Sequence, residues 1–159
     1  MKTNTLLILI FIIMNKSYSQ ETSKTKDIDI IVNNINQSNY QTTRDSVFQD
    51  KPEYGLKMKT YLTMKADLDQ VKKYENYVYT NMNLDGISRE MTTSSTFYYD
   101  YNKLIKVEEY MIDGGNKKVM DWYYSEDKPL HYTFKSAKAE DRAKLLLIIS
   151  DAMLKKIKK

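Results

Sequence analysis

Residues 96–134 read TFYYDYNKLIKVEEYMIDGGNKKVMDWYYSEDKPLHYTF. Runs dense in aromatic and β-branched residues alternate here with short polar turns, which is the signature of successive strands. Asp113-Gly114-Gly115-Asn116 is the clearest hairpin turn in the chain, because glycine accepts the positive φ that tight hairpins require. Asn102-Lys103 and Ser125–Pro129 supply two further turns, so Leu104–Ile112, Lys117–Tyr124 and Leu130–Phe134 read as an antiparallel meander. Upstream, Tyr77-Val78-Tyr79-Thr80 carries the same β signal, and Asp85-Gly86 reads as another hairpin turn. Leu56, Met58, Thr60 and Leu62 alternate as a strand does, while Leu68, Val71 and Tyr74 would suit a short helix; strand, turn, strand is the expectation over 56–77. Residues 39–56 show no period and are punctuated by Pro52 and Gly55, so they read as a loop with little regular structure.

Two helices flank the β region. Ile28, Ile31, Val32 and Ile35 lie on one helical face over Asp27–Gln37, with Thr25 placed to cap its start. A second helix is expected over Ala137–Ile157. Ser136 suits its N-cap, Glu140 and Asp141 its first turn, and Lys155 and Lys156 its last, each matching the helix dipole. Ala139, Ala143, Leu146, Leu147, Ser150, Met153, Leu154 and Ile157 form one stripe that must meet the sheet. Leu145, Ile148, Ile149 and Ala152 form a second apolar patch, covered either by the first helix lying alongside or by contact with another protein. The fold class is therefore α+β: an antiparallel meander packed against a C-terminal helix, with a short N-terminal helix beside it.

Alternation along each strand divides the sheet into two faces. Phe97, Tyr99, Tyr101, Ile105, Val107, Met111, Met120, Trp122, Tyr124, Leu130, Tyr132 and Phe134 form the apolar set, expected beneath the C-terminal helix. Tyr98, Lys106, Glu108, Tyr110, Asp121, Tyr123, His131 and Thr133 fall on the other face, which is aromatic and polar together. Tyr98, Glu108, Tyr110, Tyr123 and His131 are thus the candidate ligand-binding residues on an open surface, although tyrosine also suits any half-exposed strand. A weak internal repeat supports the pairing of hairpins: Phe97-Tyr98-Tyr99 and Trp122-Tyr123-Tyr124 are each followed by a polar turn with a lysine.

Residues 1–19 read as an export leader. Lys2 precedes an uninterrupted apolar run, Leu6 through Met14, and Ser17-Tyr18-Ser19 places small residues three and one before a cut at Gln20. That run is short of the about 20 residues a bilayer span needs, so the remaining chain, residues 20–159, is expected as one domain that does not span a membrane once the leader is removed. It would act in the periplasm or outside the cell. Losing Lys2 and Lys16 lowers the net charge from +4 to +2, and four lysines sit at the extreme C-terminus. The body is nearly neutral, which argues against nucleic acid as a partner.

The absence of cysteine excludes disulfides, thiol catalysis and thiolate zinc sites, and a single histidine excludes a multi-histidine metal centre. Neither a phosphate-binding loop nor a Gly-x-Ser-x-Gly elbow is present. Glu108 and Glu109 are adjacent and face opposite ways on a strand, so they cannot act as a carboxylate pair. Asn81-Met82-Asn83-Leu84-Asp85-Gly86 imitates the start of a calcium loop, but Thr92 stands where the bidentate glutamate would be. No catalytic residue, metal or cofactor is expected.

The leader ending in Ser19-Gln20, the early helix and the aromatic units with their Lys-Leu turns (Phe97 through Leu104, Trp122 through Leu130) resemble small, mostly uncharacterised exported proteins of Bacteroidetes-type bacteria. At fold level the arrangement is similar to PepSY-like and β-lactamase-inhibitor-like domains, in which a sheet packs on helices. The resemblance implies no catalytic residues. Together these features predict an exported, non-enzymatic binding or accessory domain whose partner is an unknown protein or small ligand. Leu145, Ile148 and Ile149 would meet a protein partner, as in an inhibitor, an immunity protein or a self-assembling subunit. A carrier of small apolar ligands or lipids is the remaining class.

Overall fold

A computed structural model describes residues 22–84, 86–134 and 136–157. The leader read at 1–19 lies outside these residues, as do Asp85 and the last two lysines. Helix α1 spans 22–37. Seven strands follow: β1 (Gln41–Lys51), β2 (Leu56–Asp67), β3 (Gln70–Leu84), β4 (Ile87–Asp100), β5 (Lys103–Asp113), β6 (Asn116–Ser125) and β7 (Lys128–Tyr132). Helix α2, Ala139–Ile157, ends the described chain. The strands form one antiparallel sheet in sequence order, so the meander is unbroken from edge to edge.

The two helices lie on opposite faces of the sheet, not side by side as expected. α2 packs Ala139, Ala143, Leu146 and Ser150 onto Phe97, Tyr99, Leu104, Val107, Trp122 and Tyr124. α1 packs Ile28, Val32 and Ile35 onto Tyr98 and Tyr123, with Ile105 and Leu130 alongside. Each buried aliphatic side chain contributes about 1.5–3 kcal/mol, so each helix is held by the face it covers. α2 begins two residues later than expected, so Ser136 stands ahead of its N-cap position, where its Oγ accepts the Lys138 amide at 3.2 Å. Thr25 does not cap α1: it sits inside the helix, where its Oγ1 donates to the Thr22 carbonyl at 3.1 Å.

Both aromatic units carry the same bulge. Tyr98 pairs with Lys106 but Tyr99 with Leu104; Tyr123 pairs with His131 but Tyr124 with Pro129. The extra residue in each case, Ile105 and Leu130, is thrown onto the α1 face, which corrects the simple alternation that placed both beneath α2. The turns that precede these bulges hold Tyr101, Asn102, Glu126 and Asp127 at positive φ, the geometry that lets a two-residue hairpin match strand twist. Tyr101 sits on the turn itself and is exposed rather than buried.

β1 replaces the loop expected over 39–56. It pairs with β2 along its whole length, yet every residue in it is exposed. A strand with neither face buried needs no hydrophobic period, so alternation cannot reveal it. The one-turn 3-10 helix Pro52–Tyr54 then leads into Gly55, whose φ of +57° closes the connection. Gly55 is also wedged against β3: its carbonyl accepts the Asn83 amide at 2.8 Å, and an added Cβ would lie 2.2 Å from the Asn83 oxygen.

Candidate functional site

α2 crosses the strands at one end of the sheet. Arg142 reaches Glu109 on β5, the Tyr124 hydroxyl on β6 donates to the Ala143 carbonyl at 3.1 Å, and Ser150 Oγ donates to the Tyr99 hydroxyl on β4 at 3.3 Å. A helix is only about 10–12 Å wide, whereas β3 with 15 residues runs about 50 Å, so α2 leaves much of this face uncovered. The sheet register shows what lies there. Met64 shares a row with Tyr74, Phe97, Val107 and Trp122; the next rows carry Leu62 and Met120, then Val78 and Met111, then Met58 and Met91, then Leu56 and Met82. All six methionines between residues 58 and 120 therefore lie on the α2 face.

Where α2 meets this methionine-rich surface there is a cleft of about 360 Å³. Met111, Met120, Trp122 and Phe134 give it apolar walls, and Lys138 and Arg142 of the α2 start form its rim. At its base Glu109 is buried among apolar neighbours. A carboxylate taken out of water there demands compensation. It receives it from a two-pronged contact with Arg142 (2.5 and 3.2 Å) and from the Ser95 hydroxyl at 3.0 Å. The Glu109 carboxylate raises the Arg142 pKa, so the guanidinium stays charged at any accessible pH. Trp122 Nε1 is buried and, among the described residues, has no hydrogen-bond partner. An unmet buried donor costs about 1–3 kcal/mol.

The residues read from the sequence as an open binding face are distributed differently. Tyr98 and Tyr123 are 2% and 7% exposed and lie beneath α1, so the expected open aromatic surface is closed at that end. They belong to a network that fastens α1 to the sheet. Lys106 Nζ, itself buried, pairs with Asp29 at 2.9 Å and Glu108 at 3.0 Å and sits 4.9 Å from the Tyr123 ring centre. The Tyr123 hydroxyl donates to Asp29 at 3.1 Å, and the Tyr98 hydroxyl donates to Glu108 at 3.0 Å while accepting Asn36 Nδ2 at 3.4 Å. Burial alone would lower the Lys106 pKa, but the bonds to Asp29 and Glu108 outweigh it and raise the pKa above the ordinary lysine value. Tyr110 is half-buried beyond the end of α1 with Lys117 Nζ 5.2 Å from its ring centre, and His131 is exposed on β7 with its ring against Tyr123. Of the five expected ligand contacts, Tyr98, Glu108 and Tyr123 thus belong to an internal network.

The second apolar patch is not covered by α1. Leu145 and Ile148 are exposed, whereas Ile149 packs against the core beneath α2. A larger cleft of about 480 Å³ lies between the start of α1 and the turns after β4 and β6. It has charged walls but, among the described residues, neither a buried ion pair nor an unpartnered buried donor. Among the described residues no three His, Asp or Glu side chains converge as a metal site, and no helix is long and apolar enough to cross a membrane. No protein-family model matches this chain. No curated protein and no solved structure matches it either.

Proposed function

We propose that this chain is a non-enzymatic binding domain, exported to the periplasm or beyond the cell, whose ligand is a small amphipathic molecule with an apolar body and an anionic end. The observation that carries this reading is a cleft in which the apolar side chains of Met111, Met120, Trp122 and Phe134 meet the cationic Lys138 and Arg142. Met111, Met120 and Phe134 offer the apolar contact, and thioether side chains adapt to irregular shapes at small cost. Lys138 and Arg142 bring two positive charges against the single Glu109 carboxylate, which leaves the rim net cationic. The volume of about 360 Å³ falls in the range of about 300–1,000 Å³ usual for small-molecule sites. The leader-like run at residues 6–14 supports export.

Trp122 is the only tryptophan, so its fluorescence reports directly on the cleft. Titration with decanoate is expected to give a saturable spectral change, weaker with decanol and lost in Phe134→Asp. An unchanged spectrum up to the solubility limit of both probes would refute the reading.

A further inference from the structure

We propose that β1 joins two copies of this chain edge to edge, in a two-fold antiparallel pairing centred on Val47. This inference is independent of the ligand reading. The two edges of the sheet are built differently. β7 is only five residues long, contains Pro129 and carries the bulge at Leu130, all of which discourage a further strand. β1 is eleven residues long, contains no proline, pairs with β2 without a bulge and is exposed throughout. Its outer row of backbone groups is therefore a template for another strand. It also carries exposed apolar side chains, Val47 at 45% and Phe48 at 58%.

The charges on β1 select the occupant. Arg44, Asp45, Asp50 and Lys51 sum to zero, so the strand does not repel a copy of itself. In a symmetric antiparallel pair, residues i and j of the two copies face each other with i + j constant. The constant must be even for both strands to present matching backbone groups. Centring on Arg44 or Asp45 sets like charges on the axis, which is unfavourable. Centring on Val47 sets Arg44 of each copy against Asp50 of the other, twice, with no like pair opposed over Thr43–Lys51. Val47 then meets Val47 on the methionine-rich face, and the two apolar surfaces become continuous. On the other face Phe48, which already lies 5.9 Å from Lys59 Nζ, packs beside Ser46 of the second copy. Arg44 has no hydrogen bond or ion pair among the described residues, and the only ion pair of Asp50 there is a long contact of 3.6 Å with Lys57.

The chain has no cysteine, so single substitutions give clean cross-links. Sedimentation velocity on the purified protein is expected to show a dimer. V47C should form a disulfide-linked dimer under mild oxidation, because residues facing across the axis lie about 4.5–5.5 Å apart at Cα. F48C should not, because its two copies would stand about 8 Å apart. R44D and D50R should each weaken association about tenfold or more, and a mixture of the two should recover it, since each then supplies the charge the other needs. These positions are exposed, so unchanged circular dichroism and melting will confirm folding. A monomer at all concentrations, a dimer linked by F48C instead of V47C, or a dimer indifferent to R44D overturns the proposal.

Discussion

Raising the pH should unfold this protein through its buried tyrosines, and the size of the effect follows from the sandwich. Tyr98 lies beneath α1, and Tyr99 and Tyr124 lie beneath α2. Burial pushes all three phenols above their ordinary value of about 10, Tyr99 to about 12 and the other two further. The Glu108 carboxylate raises Tyr98 further, against the Asn36 amide, which lowers it, and the Glu109 carboxylate raises Tyr124 further. A group whose native pKa lies above its unfolded one keeps its proton in the fold while the unfolded chain releases it. Its contribution is intact below about pH 10 and is lost as pH rises through the native value. At pH 11 each phenol costs about 1.4 kcal/mol, so the three together remove about 4 kcal/mol, a large part of a typical stability of about 5–15 kcal/mol. Lys106, also raised, acts with the same sign above about pH 10.5. Guanidinium melts followed by Trp122 fluorescence at pH 9, 10 and 11 will measure the loss, and absorbance at 295 nm will report phenolate formation. Tyr98→Phe and Tyr124→Phe should each remove about a third of the pH dependence. Stability unchanged from pH 9 to pH 11, or full phenolate formation near pH 10 with the fold intact, would refute the burial of both faces.

Leu146→Ala should destabilise by about 3–5 kcal/mol, because Leu146 is fully enclosed at the α2–sheet contact and the site is framed by rigid aromatics; urea unfolding checks this. Gly55→Ala should cost about 2 kcal/mol or more, since the positive φ and the Asn83 oxygen both exclude a Cβ; a thermal melt lowered by several degrees is the expected readout. Lys106→Met should leave stability within about 1 kcal/mol of the parent or raise it, because the desolvation cost of the buried amine disappears with its ion pairs. Asp29→Ala, which keeps the amine and removes one partner, should destabilise by about 1 kcal/mol, the partial exposure of Asp29 limiting the loss. Equal losses in these two variants would show that the network contributes by packing alone.

The order and pairing of most strands were readable because their turns carry chemistry of their own. Gly114-Gly115, Asn102 and Glu126-Asp127 each sit where a positive φ is needed, and the strands between them alternate. Three features were not readable. β1 has no buried face and so no period. The bulges after Tyr98 and Tyr123 move Ile105 and Leu130 by one position, and nothing in a single strand announces a bulge set by its partner. The side taken by α1 was hidden for a related reason. Once Ile105 and Leu130 join Tyr98 and Tyr123, that face becomes apolar enough to bury Ile28, Val32 and Ile35; with simple alternation it looks too polar for a helix.

The cleft was less legible than the fold, yet one residue signalled it. Glu109 stands between Val107 and Met111 on the same side of β5, and a carboxylate in an otherwise apolar row cannot be buried alone. Some cation on the element covering that row has to meet it. The covering element is the C-terminal helix, with Lys138 just before it and Arg142 in its first turn, while Lys144 turns outward to pair with Glu140 at 2.7 Å. Of the two, arginine matches both carboxylate oxygens at once, which is the contact observed. The adjacent Glu108 shares the other face with tyrosines, and its partners, Lys106 and Tyr98, hold α1 in place. Neighbouring glutamates on one strand thus serve the two faces separately: one fastens a helix, and the other lines a cleft that Met111, Met120, Trp122 and Phe134 make largely apolar.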